Sequence, residues 1–193
     1  MDQIAPGIQH WKAVHPNLGA EVSSYWLPDL NLLLDPIAVP EEVEGVEHIL
    51  LSCRHHTRDS LDAAERFGAV IQAPRTGMHE YGDDTPIQPY DFDEPLLGSG
   101  VTAHQVGGLS PDETALHIPS ANALSIADGA VRYGEDLQFV PDGLMDDPEK
   151  DKADLKRGFG ELAEQLDFDV LLLAHGRPYP SGGREALRRF AES

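Results

Sequence analysis

The chain has 193 residues, 34 of them Asp or Glu against 14 Lys or Arg, for a formal net charge of −20. So acidic a surface repels phosphate backbones and anionic lipid, which excludes a basic nucleic-acid groove and electrostatic membrane binding. An apolar share of 40 % and a charged share of 25 % exclude a mostly disordered chain and fit one domain over 1–193 with a real core.

Only four of the 14 basic residues are Lys. That Arg-rich, Asp-rich balance suits a salt-tolerant protein and equally a GC-rich genome. Cys53 is the single cysteine, so no internal disulfide and no Cys-based zinc finger can form. Met1–Pro6 carries neither a basic segment nor an apolar core, unlike a signal peptide, and no apolar run approaches the roughly 18 residues of a membrane span. A soluble, cytoplasmic protein is expected, with no nucleic-acid or membrane partner. Its partner would be a small-molecule substrate, and a homodimer is compatible with the composition.

No internal repeat, low-complexity tract or heptad pattern stands out. In chain order, Val22–Leu27 and Asn31–Leu34 read as strands, the second closed by Asp35-Pro36. His48–Ser52 is a compact apolar run, the pattern of a strand buried on both faces. A helix should follow, capped by Asp59 or Ser60, with Leu61, Ala64 and Phe67 as its apolar stripe and Gly68 as its stop. Ala69–Ile71 resumes a strand. Arg75–Glu94 is rich in Gly, Pro and Asp and reads as a long surface excursion.

Strands are expected near 101–106, 114–118 and 123–126. A helix follows from about Pro148 to Leu166, where Leu155, Phe159, Leu162 and Leu166 share one face. Val170–Leu173 is a further strand, and a last helix covers about Gly183–Ala191. The strand–helix–strand units lie around 48–73 and 150–175, which makes the chain mixed α/β.

Three strand ends deliver chemistry. The first runs from Ile49 into Ser52-Cys53-Arg54-His55-His56-Thr57-Arg58-Asp59-Ser60. The second is Ser125-Ile126-Ala127-Asp128-Gly129, and the third is Leu173-Ala174-His175-Gly176. Rigid strands hold the side chains that leave their ends, so sites gather there. Two imidazoles and a carboxylate from three such ends could hold a metal ion. Each also has a structural reading: His55 and His56 as polar turn residues, Asp128-Gly129 as a turn pair, Cys53 as a small core residue, and Arg58 as a helix-start or salt-bridging residue. His10, His15, His48, His79, His104 and His117 are scattered and read as surface or satisfied core positions. The acidic run from Asp146 to Asp154 reads as a solvated helix start rather than a calcium loop.

This order of elements resembles the metallo-β-lactamase-fold hydrolases over residues 8 to 190. Their signature is an apolar strand, Thr or Ser, then H-x-H-x-D-H, followed later by Gly-His, a strand ending in Asp, and a strand ending in His-Gly. With Ser52 in the Thr position, the ligand slots fall on Cys53, His55, Thr57 and Arg58. In a second register they fall on His55, Thr57, Asp59 and Ser60. The first is preferred because the apolar strand then abuts the motif, and both include His55. The Gly-His pair aligns with Gly107-Gly108, so its His is missing. Asp128 follows 128 − 108 = 20 residues later, and His175 takes the last position.

The resemblance implies a four-layer αββα sandwich. It also implies a metal-dependent hydrolase of unknown small-molecule substrate, whose site is depleted to three of seven ligands in the preferred register: His55, Asp128 and His175. One divalent ion, Zn first and Mn or Fe as alternatives, is the implied cofactor, or none. Cys53 is a possible fourth ligand that would close the site. Asp128 could double as a base for an activated water, and Arg58 could hold an anionic substrate group while repelling a second cation. The competing reading is a catalytically inactive member of the fold serving as a binding or structural module. A serine α/β hydrolase is disfavoured, since Val106–Ser110 does not make a G-x-S-x-G elbow.

Overall fold

The computed structural model describes residues 1–193, the side chain of Ser99 excepted. The chain divides into two compact units, Met1–Asp91 and Phe92–Ser193.

The first unit is a seven-stranded sheet in sequence order: β1 (Asp2–Ala5), β2 (Ile8–Val14), β3 (Glu21–Leu27), β4 (Leu32–Leu34), β5 (His48–Leu50), β6 (Val70–Pro74) and β7 (Ile87–Tyr90). Pairing is antiparallel from β1 to β4 and parallel from β4 to β7. The parallel strands are short; β4 and β5 are apolar but for His48 and almost wholly buried, whereas Val70 of β6 and Gln88 and Pro89 of β7 are exposed. The helix α1 (Ser60–Phe67) crosses from β5 to β6 and ends where Gly68 turns left-handed, its N–H returning to the Ala64 carbonyl. Its Ala63, Ala64 and Phe67 pack on a core that includes Ile49, Ile71 and Ala73.

Three expectations in this unit need correction. Leu61 is exposed, so α1 buries Ala63 in its place. Asp59 stands at the cap position but makes no capping bond, because its carboxylate accepts instead from the Ala38 N–H at 2.7 Å. The excursion from Arg75 to Glu94 contains β7, whose Tyr90 is buried and donates its hydroxyl to the Leu51 carbonyl at 2.7 Å. The Gly, Pro and Asp content there describes the connection and hid a four-residue strand. β1 and β2 had no strong signal either, since Gln3, Gln9, His10 and Lys12 dilute the apolar alternation.

The second unit is a five-stranded sheet ordered β12-β11-β10-β9-β8, from β8 (Pro95–Leu96), β9 (Val101–Gln105), β10 (Thr114–Ile118), β11 (Ala123–Ile126) and β12 (Val170–Leu173). Only β11 and β12 are parallel. The long helix α2 (Pro148–Gln165) connects them, and α3 (Gly183–Glu192) closes the chain. Asp147 caps α2 by accepting from the Lys150 N–H. Leu155, Phe159 and Leu162 of α2 are buried against Ala115, Leu124, Ile126 and Leu171 of the sheet and Leu187 and Phe190 of α3. This is the stripe that the sequence periodicity predicts.

A short local path recurs despite the absence of a sequence repeat. Pro28–Leu30 and Pro119–Ala121 each make one turn of 3-10 helix, closed by a left-handed Asn31 or Asn122 with φ of 50°. Each Asn carbonyl then accepts two amides at the start of the next parallel strand, Glu47 and His48 in one unit, Asp169 and Val170 in the other. Shared Pro-x-x-Asn is too little text to register as a repeat. Asn tolerates this conformation better than most residues, which explains why it stands at both corners.

Candidate functional site

In the first unit, β4 delivers Asp35 and its parallel neighbour β5 delivers Ser52 and Cys53. Asp35 is 4 % exposed and fully engaged. It accepts the Ser52 N–H at 2.8 Å on one oxygen and the Ser52 hydroxyl at 2.5 Å on the other, with His56 Nδ1 3.0 Å from the same oxygen. Burial favours the neutral acid, but His56, Arg58 and Ser52 outweigh it and hold the Asp35 carboxyl below its ordinary value. The Asp35 carboxylate beside Nδ1 fixes the orientation of the His56 ring, as an outer carboxylate does for metal-binding histidines.

Asp, His and Ser here do not form a nucleophilic triad. Ser52 Oγ lies 2.9 Å from Nδ1, the nitrogen that Asp35 also meets, whereas a relay needs the two partners on opposite nitrogens.

His55, the candidate ligand of this loop in both motif registers, is exposed, while the adjacent His56 is buried and oriented. Cys53 is buried as well, and Cys53 and His56 are the donors of this unit that could take part in holding a metal ion. Arg58 sits at φ 40° and gives Nη1 to the Ser23 and Asp35 carbonyls at 2.7 and 2.8 Å. Its Nη2 is buried and has no hydrogen-bond partner among the described residues. Asp35 and Ala38 also have positive φ, 45° each. Left-handed non-glycine residues cost of order 1 kcal/mol or more each and tend to cluster where function demands a fixed geometry.

In the second unit, the register Ile126↔Leu173 sets β11 and β12 level, and Asp128 and His175 each lie two residues beyond. Their side chains meet, with His175 Nε2 3.0 Å from Asp128 Oδ1 and both partly exposed. Donor atoms around one small cation are about 3–3.5 Å apart, so this pair fits a shared ion that replaces the shared proton. Asp128 is also a donor that could take part in holding a metal. The exposed Tyr133 feels it: burial and then the Asp128 charge raise the phenol above its ordinary value.

Packing leaves this pair little freedom. A Cβ on Gly176, at φ 89°, would strike the Arg132 carbonyl, and the Arg132 N–H donates to the His175 carbonyl at 3.2 Å. The Gly129 N–H donates to Glu113 at 2.6 Å, and a Cβ there would lie 2.7 Å from Leu155 and 2.8 Å from Phe159. Gly108, which stands where the family motif has a His, presses on α2 as well: a Cβ would be 2.5 Å from Leu155 Cγ. No side chain fits that position as the helix is packed.

Asp35 and Glu113 escaped the sequence reading. Asp35-Pro36 looked like a strand stop, and nothing local distinguishes a carboxylate that caps a strand from one that organises the loop after the neighbouring strand. Glu113 sits among Ser110, Pro111 and Asp112, where acidic residues are ordinary.

No family model matches the chain, and no curated protein matches it. Solved structures do. The DIM-1 metallo-β-lactamase superposes with a TM-score of 0.74 at 11 % identity, covering 99 % of this chain and 95 % of that one. A metallo-β-lactamase from Hirschia baltica gives 0.70 at 16 % identity, again covering 99 % and 95 %. Rubredoxin oxygen:oxidoreductase from Desulfovibrio gigas gives 0.67 at 14 % identity, and this chain spans 60 % of its length. At such identities the likeness shows the fold: a mixed α/β chain of two sheets and their helices, the metallo-β-lactamase fold.

Proposed function

We propose that the protein is a metal-dependent hydrolase with a depleted, single-ion site, acting on a small molecule in the cytoplasm. The observation that carries this reading is the Asp128–His175 pair, brought to 3.0 Å by two level parallel strands where the family motif has ligands. The family resemblance calls for a third donor from the first loop. The sequence motif nominates His55, and the carboxylate-held ring of His56 nominates His56, with Cys53 as the soft alternative. A bound Zn²⁺, or Mn²⁺ or Fe²⁺, would supply Lewis-acid activation of water or of a substrate carbonyl. Asp128 would orient a water and accept its proton. Arg58 Nη2, buried without a partner among the described residues, would take an anionic substrate oxygen. The acidic surface supports a small-molecule substrate over nucleic acid.

One observation favours a second reading, an inactive fold used as a binding module. Gly108 is packed so tightly on Leu155 that the lost histidine could not return by one substitution. Elemental analysis separates the two. Protein grown and dialysed with Zn, Mn and Fe should carry metal that falls in His175→Ala and in His55→Ala or His56→Ala, identifying the loop donor. Metal content that none of these variants changes would remove the hydrolase reading.

A further inference from the structure

We propose that His104 and His117 form a second metal site, on the helix-bearing face of the β8–β12 sheet, that takes a borderline divalent cation such as Zn²⁺. The two residues lie on adjacent antiparallel strands. His104 pairs with Ala115 and His117 with Thr102, which makes the imidazoles diagonal neighbours on the face of Ala115, the face that packs on α2 and α3. Their ring centroids are 6.4 Å apart.

The hydrogen bonds fix which nitrogens are left. His104 Nδ1 is 2.8 Å from the Asp93 carboxylate, so Nδ1 carries the proton and Nε2 the lone pair. His117 Nε2 is 3.0 Å from the Asp167 carbonyl, an acceptor only, so its lone pair is at Nδ1. Each ring is therefore held as metal-ligating histidines are, the outer nitrogen donating to a carboxylate or carbonyl and the other free to coordinate. Asp93 has φ 60°, a conformation few residues adopt, and from it reaches His104.

His104 Nε2 is buried and has no hydrogen-bond partner among the described residues. A buried unpaired nitrogen is costly, and a ligand is one way to satisfy it. Two imidazoles on one tetrahedral ion have centroids roughly 5 Å apart, so binding requires the rings to close by about 1 Å. Imidazole donors select Zn²⁺, Cu²⁺ or Ni²⁺ over Mg²⁺ and Ca²⁺.

The test is a zinc titration against a chromophoric chelator in a His175→Ala background, which lacks a ligand of the first site. That protein should still take up one equivalent of zinc. Adding His104→Gln or His117→Gln should weaken that uptake at least about tenfold, while circular dichroism stays unchanged. Zinc should also shift the imidazole ¹⁵N signals of both residues. Zinc uptake unchanged in both Gln variants, or His104 and His117 imidazole signals that zinc does not move, would overturn the proposal, whatever happens at Asp128 and His175.

Discussion

The two units use the same path to opposite ends. In both, a strand after a left-handed Asn delivers a carboxylate, and its parallel neighbour delivers the polar partner: Asp35 with Ser52 and His56, Asp128 with His175. Asp35 is sealed, with both oxygens engaged inside its own unit. Asp128 meets His175 through Oδ1 and keeps partial exposure. A buried, saturated carboxylate stabilises and orients, whereas a half-open one can meet a ligand. The difference makes the first carboxylate structural and leaves the second as the candidate for chemistry.

Breaking the first should cost most. Asp35→Ala strips the Ser52 amide and His56 of their buried acceptor and should destabilise by about 3–5 kcal/mol in chemical denaturation. A loss under about 1 kcal/mol would make Asp35 no more structural than Asp128. Next comes the turn behind His175. Gly176→Ala meets the Arg132 carbonyl at a left-handed position and should cost about 3 kcal/mol, and the same backbone shift should part His175 from Asp128. Melting temperature and metal content should fall together.

A smaller effect is expected at the half-open carboxylate itself. Asp128→Asn should change stability by less than about 1 kcal/mol, since a partly exposed ion pair contributes little, yet reduce bound metal. A drop in stability with metal content unchanged would make Asp128 the structural carboxylate.

Acid sharpens the same contrast. The folded-state pKa of Asp35 is depressed, so its contribution is present above the ordinary carboxylate range and disappears as pH falls through the lower folded value. His10 acts earlier. Burial, then Lys12, lowers it to about 4 from 6.5, so the unfolded chain takes a proton below 6.5 that the folded chain refuses until about 4. Stability should decline over that window by about 1–2 kcal/mol after solvent screening, and His10→Asn should flatten the decline. Denaturation at about pH 7, 5.5 and 4.5 measures it.

The long elements were legible because their signals are local. The α2 stripe, the run Val170–Leu173 and the Gly68 stop each follow from periodicity or backbone freedom. The strand ends at Asp128 and His175 were legible for the same reason: an apolar run followed by a polar residue and glycine marks where a strand hands over a side chain. Strands with mixed faces, β1, β2 and β7, were not, because their pairing is set by neighbours outside their own short segments.

What the sequence determined by itself is therefore the inventory: an acidic, mixed α/β chain with donors at strand ends and a motif short of ligands. Tertiary structure decided which donors are oriented. It buried His56 and left its neighbour His55 exposed, set Asp128 level with His175 through a parallel register, and closed the position of Gly108 against Leu155. Adjacent residues in a turn face different surroundings, and residues 175 − 128 = 47 apart in sequence, like Asp128 and His175, meet only when strands pair; spacing along a chain contains neither fact.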